Sequence, residues 1–131
     1  MTVYPYPASE AVRKLNPELF GTPSKPTVVL DAPKGRTPNK TETSYRQCCI
    51  DTREDVERVY YEGIALHMAN GHRYKPDWTV VRKDGTIELH ECKGGYKLHS
   101  YGRARLAFDQ AREEFPCFVF KWATKTAGGW K

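Results

Sequence analysis

Apolar positions along this chain change period twice after residue 55. The runs "VERVYYEGIALHMA" (56–69) and "HRYKPDWTVV" (72–81) are rich in β-branched and aromatic residues. Asn70-Gly71 between them is a strong hairpin signal. "KDG" at 83–85 makes a second tight turn and leads into "TIELHECK" (86–93), so residues 56–93 read as a three-strand antiparallel meander. The period then lengthens. Ala104, Ala107, Phe108, Ala111 and Phe115 fall at i, i+3, i+4, i+7 and i+11, one apolar stripe of a helix that Pro116 ends. "CFVFKWAT" (117–124) reads as a final strand. Upstream, "NKTETSYRQCC" (39–49) starts a helix: Asn39 can cap it, and Glu42 follows at the capping-box spacing. Helix, three strands, helix, strand predicts an α/β fold, a mixed central sheet with helices on its faces.

The first 38 residues break this regularity. Seven of the nine prolines lie there, which predicts an N-terminal arm (1–38) with few regular elements beyond a short helix around Ser9–Leu15, ahead of a single domain over 39–131. The start "MTVYPYPASEAVRK" has no apolar signal core and no stretch approaches the ~20 apolar residues of a membrane span, so the expected location is the cytoplasm, with no membrane partner. Cys48, Cys49, Cys92 and Cys117 form no CxxC pair, which argues against a zinc ribbon and a disulfide framework. The formal charge of +5 is unevenly spread: residues 1–40 carry +3, residues 41–92 carry −3 and residues 93–131 carry +5. Basic flanks suit a polyanion and an acidic centre suits a cation, although a solvated surface alone would give the same balance.

The third strand concentrates the chemistry. Alternation puts Ile87, Leu89, Glu91 and Lys93 on one face and Glu88, His90 and Cys92 on the other. Two apolar positions followed by two charged ones mean that the strand leaves a core and enters a site without changing face. A hairpin turning at Lys83–Gly85 brings Asp77 of "KPDW" opposite Glu91, and cross-strand neighbours sit ~5 Å apart. Two carboxylates so close repel, and a bound cation relieves that. Oxygen donors favour Mg²⁺ or Mn²⁺ over zinc. Lys93 is then placed to hold an anion or to orient a water. Glu62 beside Gly63 is a further acid that could approach the site, His90 reads as structural, and His67, His72 and His99 show no ligand spacing. Gly94 and Gly95 permit a turn and leave room for a phosphate backbone. Arg103, Arg105 and Arg112 flank the helical stripe, either as solubilising charges or as phosphate contacts.

Pro76-Asp77, Glu91 and Lys93 on these elements resemble the motif of the PD-(D/E)XK nuclease superfamily. "NKTETSY" and "HECKGG" look most like its small phage-encoded endonucleases, including the Holliday-junction resolvase branch. The likeness covers about residues 39–123. It implies a restriction-endonuclease-like core and Mg²⁺-dependent hydrolysis of DNA phosphodiesters. Glu42, Asp77, Glu91 and Lys93 would be catalytic. Asp77, Glu91 and the Cys92 backbone carbonyl would be metal ligands, with Glu42 assisting. Lys40, Gly94, Lys97, Arg103, Arg105 and Arg112 would then contact the nucleic acid. Gln110 is followed at 114 by Glu, so the QxxxY signature of the exonuclease branch is missing. Backbone contacts carry little base information, so selectivity for a branch, flap or junction fits better than a recognition sequence. A resolvase also needs paired sites, hence a homodimer, which the arm could reach across. The alternatives are a nuclease-fold DNA-binding module without catalysis and a phage factor that binds an acidic protein.

Overall fold

In the computed structural model, the described residues are 25–30, 36–95 and 101–131. They form a mixed α/β fold with two sheets. In chain order the elements are β1 (Thr27–Leu30), α1 (Lys40–Tyr45), a π-helical turn (Arg46–Ile50), β2 (Val56–Tyr61), β3 (Ile64–His67), β4 (Arg73–Tyr74), β5 (Trp78–Arg82), β6 (Ile87–Lys93), α2 (Tyr101–Glu114), β7 (Val119–Thr126) and β8 (Gly129–Trp130). The larger sheet has the order β2-β5-β6-β7-β8, and the smaller one β1-β3-β4.

The expected meander is present as β2, β5 and β6, but its first hairpin is bent. The runs 56–69 and 72–81 each split in two, and their distal halves, β3 and β4, leave for the second sheet. The physical cause lies at the break on both strands. Pro76 has no N–H for a ladder bond. On the partner strand, Glu62, which stands opposite Asp77, adopts a left-handed φ of 48°, and a Cβ on Gly63 would come within 2.6 Å of the Tyr60 Cβ. Within the arm, Thr27–Leu30 form β1, which pairs antiparallel with β3 from Thr27↔His67 to Leu30↔Ile64. The short helix expected around Ser9–Leu15 lies outside the described residues.

The helices cover opposite faces of the larger sheet. On one side the stripe of α2 buries Phe108 and Ala111 against Leu89, Leu66 and Tyr74. Phe108 is the hub, edge-to-face with Tyr74, Phe120 and Trp122 at 6.2, 5.7 and 5.2 Å. On the other side Tyr45 and Ile50 pack on Trp78, Val80 and Cys92. β7 runs parallel to β6, as a helical crossover requires. It then turns back into β8, so Trp130 packs edge-on against Tyr45 at 5.0 Å.

The α1 side of β6 holds a buried ionic network. Glu88 is 0% exposed. It accepts two 2.8 Å bonds from Arg53, a further one from Arg82 Nε, and one of 2.7 Å from His90 Nε2. Burial alone would raise its pKa, but these donors outweigh burial and hold it well below the ordinary carboxylate range. His90 has the opposite balance. Burial lowers its pKa more than Glu88 raises it, so the neutral ring gives Nε2–H to Glu88 and accepts the Tyr45 hydroxyl at Nδ1, 2.5 Å away. His90 is thus structural, as its face predicts.

Removing the charge at Glu88 takes the carboxylate partner from Arg82 and leaves Arg53 with Asp55 alone. Glu88→Gln is expected to lower stability by about 3–5 kcal/mol in urea unfolding. Because the native pKa is depressed, the contribution of Glu88 is present above the ordinary carboxylate pKa and lost as pH falls below it. The acid limb of the stability curve should therefore be shallower in the variant.

Candidate functional site

The site forms where β5 begins and β6 ends. The register Trp78↔His90 continues by one residue to set Asp77 opposite Glu91. Asp77 immediately precedes β5, and its side chain takes over where the ladder stops. Its Oδ2 accepts the Cys92 amide at 2.9 Å and the Cys92 thiol at 3.4 Å. Its carbonyl accepts the Glu62 amide at 2.9 Å on the other side. Cys92 therefore meets Asp77 through its amide and its thiol.

Glu91 and Lys93 occupy the α2 face of β6, beyond Ile87 and Leu89. Glu91 is buried; its Oε2 accepts the Tyr74 hydroxyl at 2.9 Å and its Oε1 pairs with Lys93 Nζ at 3.0 Å. Lys93 also lies 5.9 Å above the Trp122 ring. Glu42 reaches the same place from α1. The capping box is complete, with Glu42 N bonded to Asn39 Oδ1 at 2.8 Å and Asn39 N to Glu42 Oε1 at 2.9 Å. Tyr61 donates to that same Oε1 at 3.0 Å, and Trp78 Nε1 to the Glu42 carbonyl at 3.1 Å. Glu42 completes the capping box, and its carboxyl also helps raise the Asp77 pKa.

Electrostatics here run opposite to those around Glu88. Burial and then the Glu91 charge push the Asp77 pKa up to about 8, with Glu42 adding to the rise against the Cys92 amide bond. Burial also raises Glu91, only partly offset by Lys93 and Tyr74. Burial works against the Lys93 ammonium, but Glu91 and Asp77 outweigh it and hold its pKa above the ordinary lysine value. Burial and Asp77 push the Cys92 thiol far up, so it is no thiolate ligand.

Among the described residues, no group of three or more His, Cys, Asp or Glu side chains stands close enough together to hold a metal ion as arranged. Asp77 and Glu91, set opposite each other by the register, offer oxygen donors only, a hard set that suits Mg²⁺ or Mn²⁺ better than zinc.

The remaining expected contacts are more dispersed. Lys40 is exposed at the first residue of α1, and Gly94 follows β6 with open space where a Cβ would stand. Neither Gly94 nor Gly95 has a positive φ, so the conformational freedom of glycine is not what the chain uses there. Lys97 lies outside the described residues. Arg105 stacks on Trp122 at 4.9 Å, next to Lys93. Arg112 lies over Phe108 and pairs with Asp109. Arg103 is exposed and, with Arg73 and Arg112, lines a groove of about 1040 Å³ between α2 and the β3–β4 hairpin.

Sequence reasoning missed Tyr74, Tyr61 and Trp122. Tyr74 and Tyr61 belong to runs that read as plain strand, and nothing local marks a hydroxyl as a carboxylate partner. Trp122 faces Glu91 only through the parallel β6–β7 register. Comparisons of the chain with protein-family models, with curated proteins and with solved structures gave no match.

A raised native pKa means that stability is greatest below the ordinary carboxylate pKa and falls as pH rises through the native value. For Asp77 that window runs from about pH 4 to about 8. Asp77→Asn keeps an acceptor for the Cys92 amide and removes the repulsion. The metal-free variant is expected to be more stable than wild type at pH 8 by at least one pKa unit's worth, about 1.4 kcal/mol, and indistinguishable at pH 4. Thermal unfolding at the two pH values checks this.

Proposed function

We propose that this protein is a Mg²⁺- or Mn²⁺-dependent endonuclease that hydrolyses DNA phosphodiesters and selects for structure: a branch, flap or junction. The reading rests on one observation. The buried Glu91 carboxylate and the half-buried Asp77 carboxylate stand opposite each other at adjacent strand ends, with Lys93 beside Glu91 and Glu42 behind Asp77, and burial together with the Glu91 charge raises the Asp77 pKa. Structural carboxylates are usually neutralised, as Glu88 is by several cations; here two carboxylates stand together with one lysine, which pairs with Glu91 alone, and such a surplus of negative charge suits a cation site. The PD-(D/E)XK-like motif and the placement of helices on opposite sheet faces agree with it, and a restriction-endonuclease-like core belongs to the same proposal.

Asp77 and Glu91 would hold the cation, with the Cys92 carbonyl as a third oxygen. When bound, the ion supplies charge neutralisation at the phosphate and a water of lowered pKa. The chain's residues do the rest. Tyr74 fixes one Glu91 oxygen, which orients the other toward the site. Lys93, protonated and leaning on Trp122, donates to the attacking water or to a phosphate oxygen once Glu91 engages a cation. Asn39 and Tyr61 fix Glu42 so that it faces Asp77 without swinging away. Arg105, adjacent to Lys93 through Trp122, holds the next phosphate, and Arg103 and Arg112 carry the backbone along the groove. A homodimer would supply the second site that symmetric cutting of a junction needs.

A second reading is a DNA-binding module that keeps this arrangement without cutting. It is favoured by the Lys93–Glu91 ion pair, which already engages one Glu91 oxygen.

Incubation with Mg²⁺ and a panel of single strands, duplex, flaps and four-way junctions tests the proposal. Wild type should cleave a branched substrate. Asp77→Ala, Glu91→Ala and Lys93→Ala should each lose at least about a hundredfold in rate, the scale of removing one transition-state-stabilising group. Undiminished cleavage by these variants sinks the roles, and salt-dependent binding without cleavage selects the second reading.

A further inference from the structure

Glu62 combines three features that a buried surface acid would not retain. It is the one non-glycine residue among the described residues with a positive φ, 48°, a left-handed conformation that L side chains avoid. It is 5% exposed. Its Oε2 has no hydrogen-bond partner, and its Oε1 has an ion pair at 3.3 Å with Arg36, whose side chain is two-thirds in solvent. Buried polar atoms are nearly always bonded, and a backbone outlier beside a site points to function.

Its place in the sheet says which function. The Glu62 amide donates to the Asp77 carbonyl, and Tyr61↔Trp78 is the last ladder pair of β2 and β5, so Glu62 stands opposite Asp77. Asp77 in turn stands opposite Glu91. Glu62, Asp77 and Glu91 therefore form one row across three neighbouring strands. The conformation at Glu62 is held by its successor, because Gly63 is packed against Tyr60 too closely for any side chain. The bend that sends β3 to the second sheet thus also keeps a charged oxygen buried at the end of this row, with an exposed arginine as its counterion.

We propose that Glu62 is a further cation-site residue, which lends Oε2, directly or through a bound water, to a divalent cation held by Asp77. This rests on the reading of Asp77 and Glu91 as a divalent-cation site. Arg36 neutralises Glu62 while no cation is bound and competes with the cation for it. Glu62 is then the ligand that sets affinity, while Asp77 is the ligand without which nothing binds.

Mn²⁺ titration of the full chain, followed by calorimetry and by the free-ion electron paramagnetic resonance signal, tests this without any cleavage assay. Glu62→Gln is expected to weaken Mn²⁺ binding at least tenfold, Arg36→Ala to tighten it several-fold, and Asp77→Ala to abolish it. Arg36 is exposed, so its variant reports even if Glu62→Gln fails to fold. Wild-type affinity in both Glu62→Gln and Arg36→Ala, with binding still lost in Asp77→Ala, overturns the role of Glu62 and leaves the site intact. Absence of Mn²⁺ binding by wild type at millimolar concentration overturns the cation site and this inference with it.

Discussion

Asp77 is fastened to both of its neighbouring strands, and the geometry of the site depends on that double attachment. Its carbonyl takes the Glu62 amide of the segment following β2, and its carboxylate takes the Cys92 amide of β6, each at 2.9 Å. The side-chain bond substitutes for a ladder bond at the point where Pro76 and the bend end regular pairing. It keeps β5 and β6 in register one residue past their last backbone pair. Strand register admits no partial error: a slip by one residue would turn Leu89 and Glu91 together to the other face of the sheet. The core under α2 and the carboxylate pair are thus fixed by one alignment.

β6 carries two ionic systems on its two faces, solved in opposite ways. On the α1 side, Glu88 gathers Arg53, Arg82 and His90, and its charge is neutralised within the fold. Beyond it, Glu91 pairs with Lys93 on the α2 side and stands opposite Asp77, and burial leaves both carboxyls harder to ionise. Around Glu88 the donors outweigh burial and lower the pKa, whereas at Asp77 and Glu91 burial outweighs the donors and raises it. The first arrangement strengthens the native state. The second weakens it as pH rises through the raised native pKa.

The site also draws its rigidity from the hydrophobic core. Tyr74 touches Phe108 edge-on and gives its hydroxyl to Glu91. Trp122 packs on Phe108 and carries both Lys93 and Arg105 on its ring. Phe108 on α2 therefore supports an acid and two cations through two aromatic neighbours. Aromatic rings with a polar tip or face suit this position, apolar at one end and charged at the other.

Much of this was legible locally. Alternation along "TIELHECK" assigned Glu91 and Lys93 to one face and His90 to the other. The turn at Lys83–Gly85 set Asp77 against Glu91, and Asn39 with Glu42 announced the helix start. These features depend on neighbours a few residues away or on a tight hairpin, where chain geometry leaves little choice. At the break, Gly63 and Pro76 are the only local marks in runs otherwise rich in strand formers; that β3 leaves for a second sheet was not legible, because it depends on its pairing with β1 and β4. Tyr74, Tyr61 and Trp122 were hidden for a similar reason, since their partners come from distant segments. The sequence by itself determined which residues could share a face. The tertiary structure alone decided which carboxylates are neutralised and which are left crowded, because that depends on which cations and hydroxyls the packing of helices and sheets brings within bonding distance.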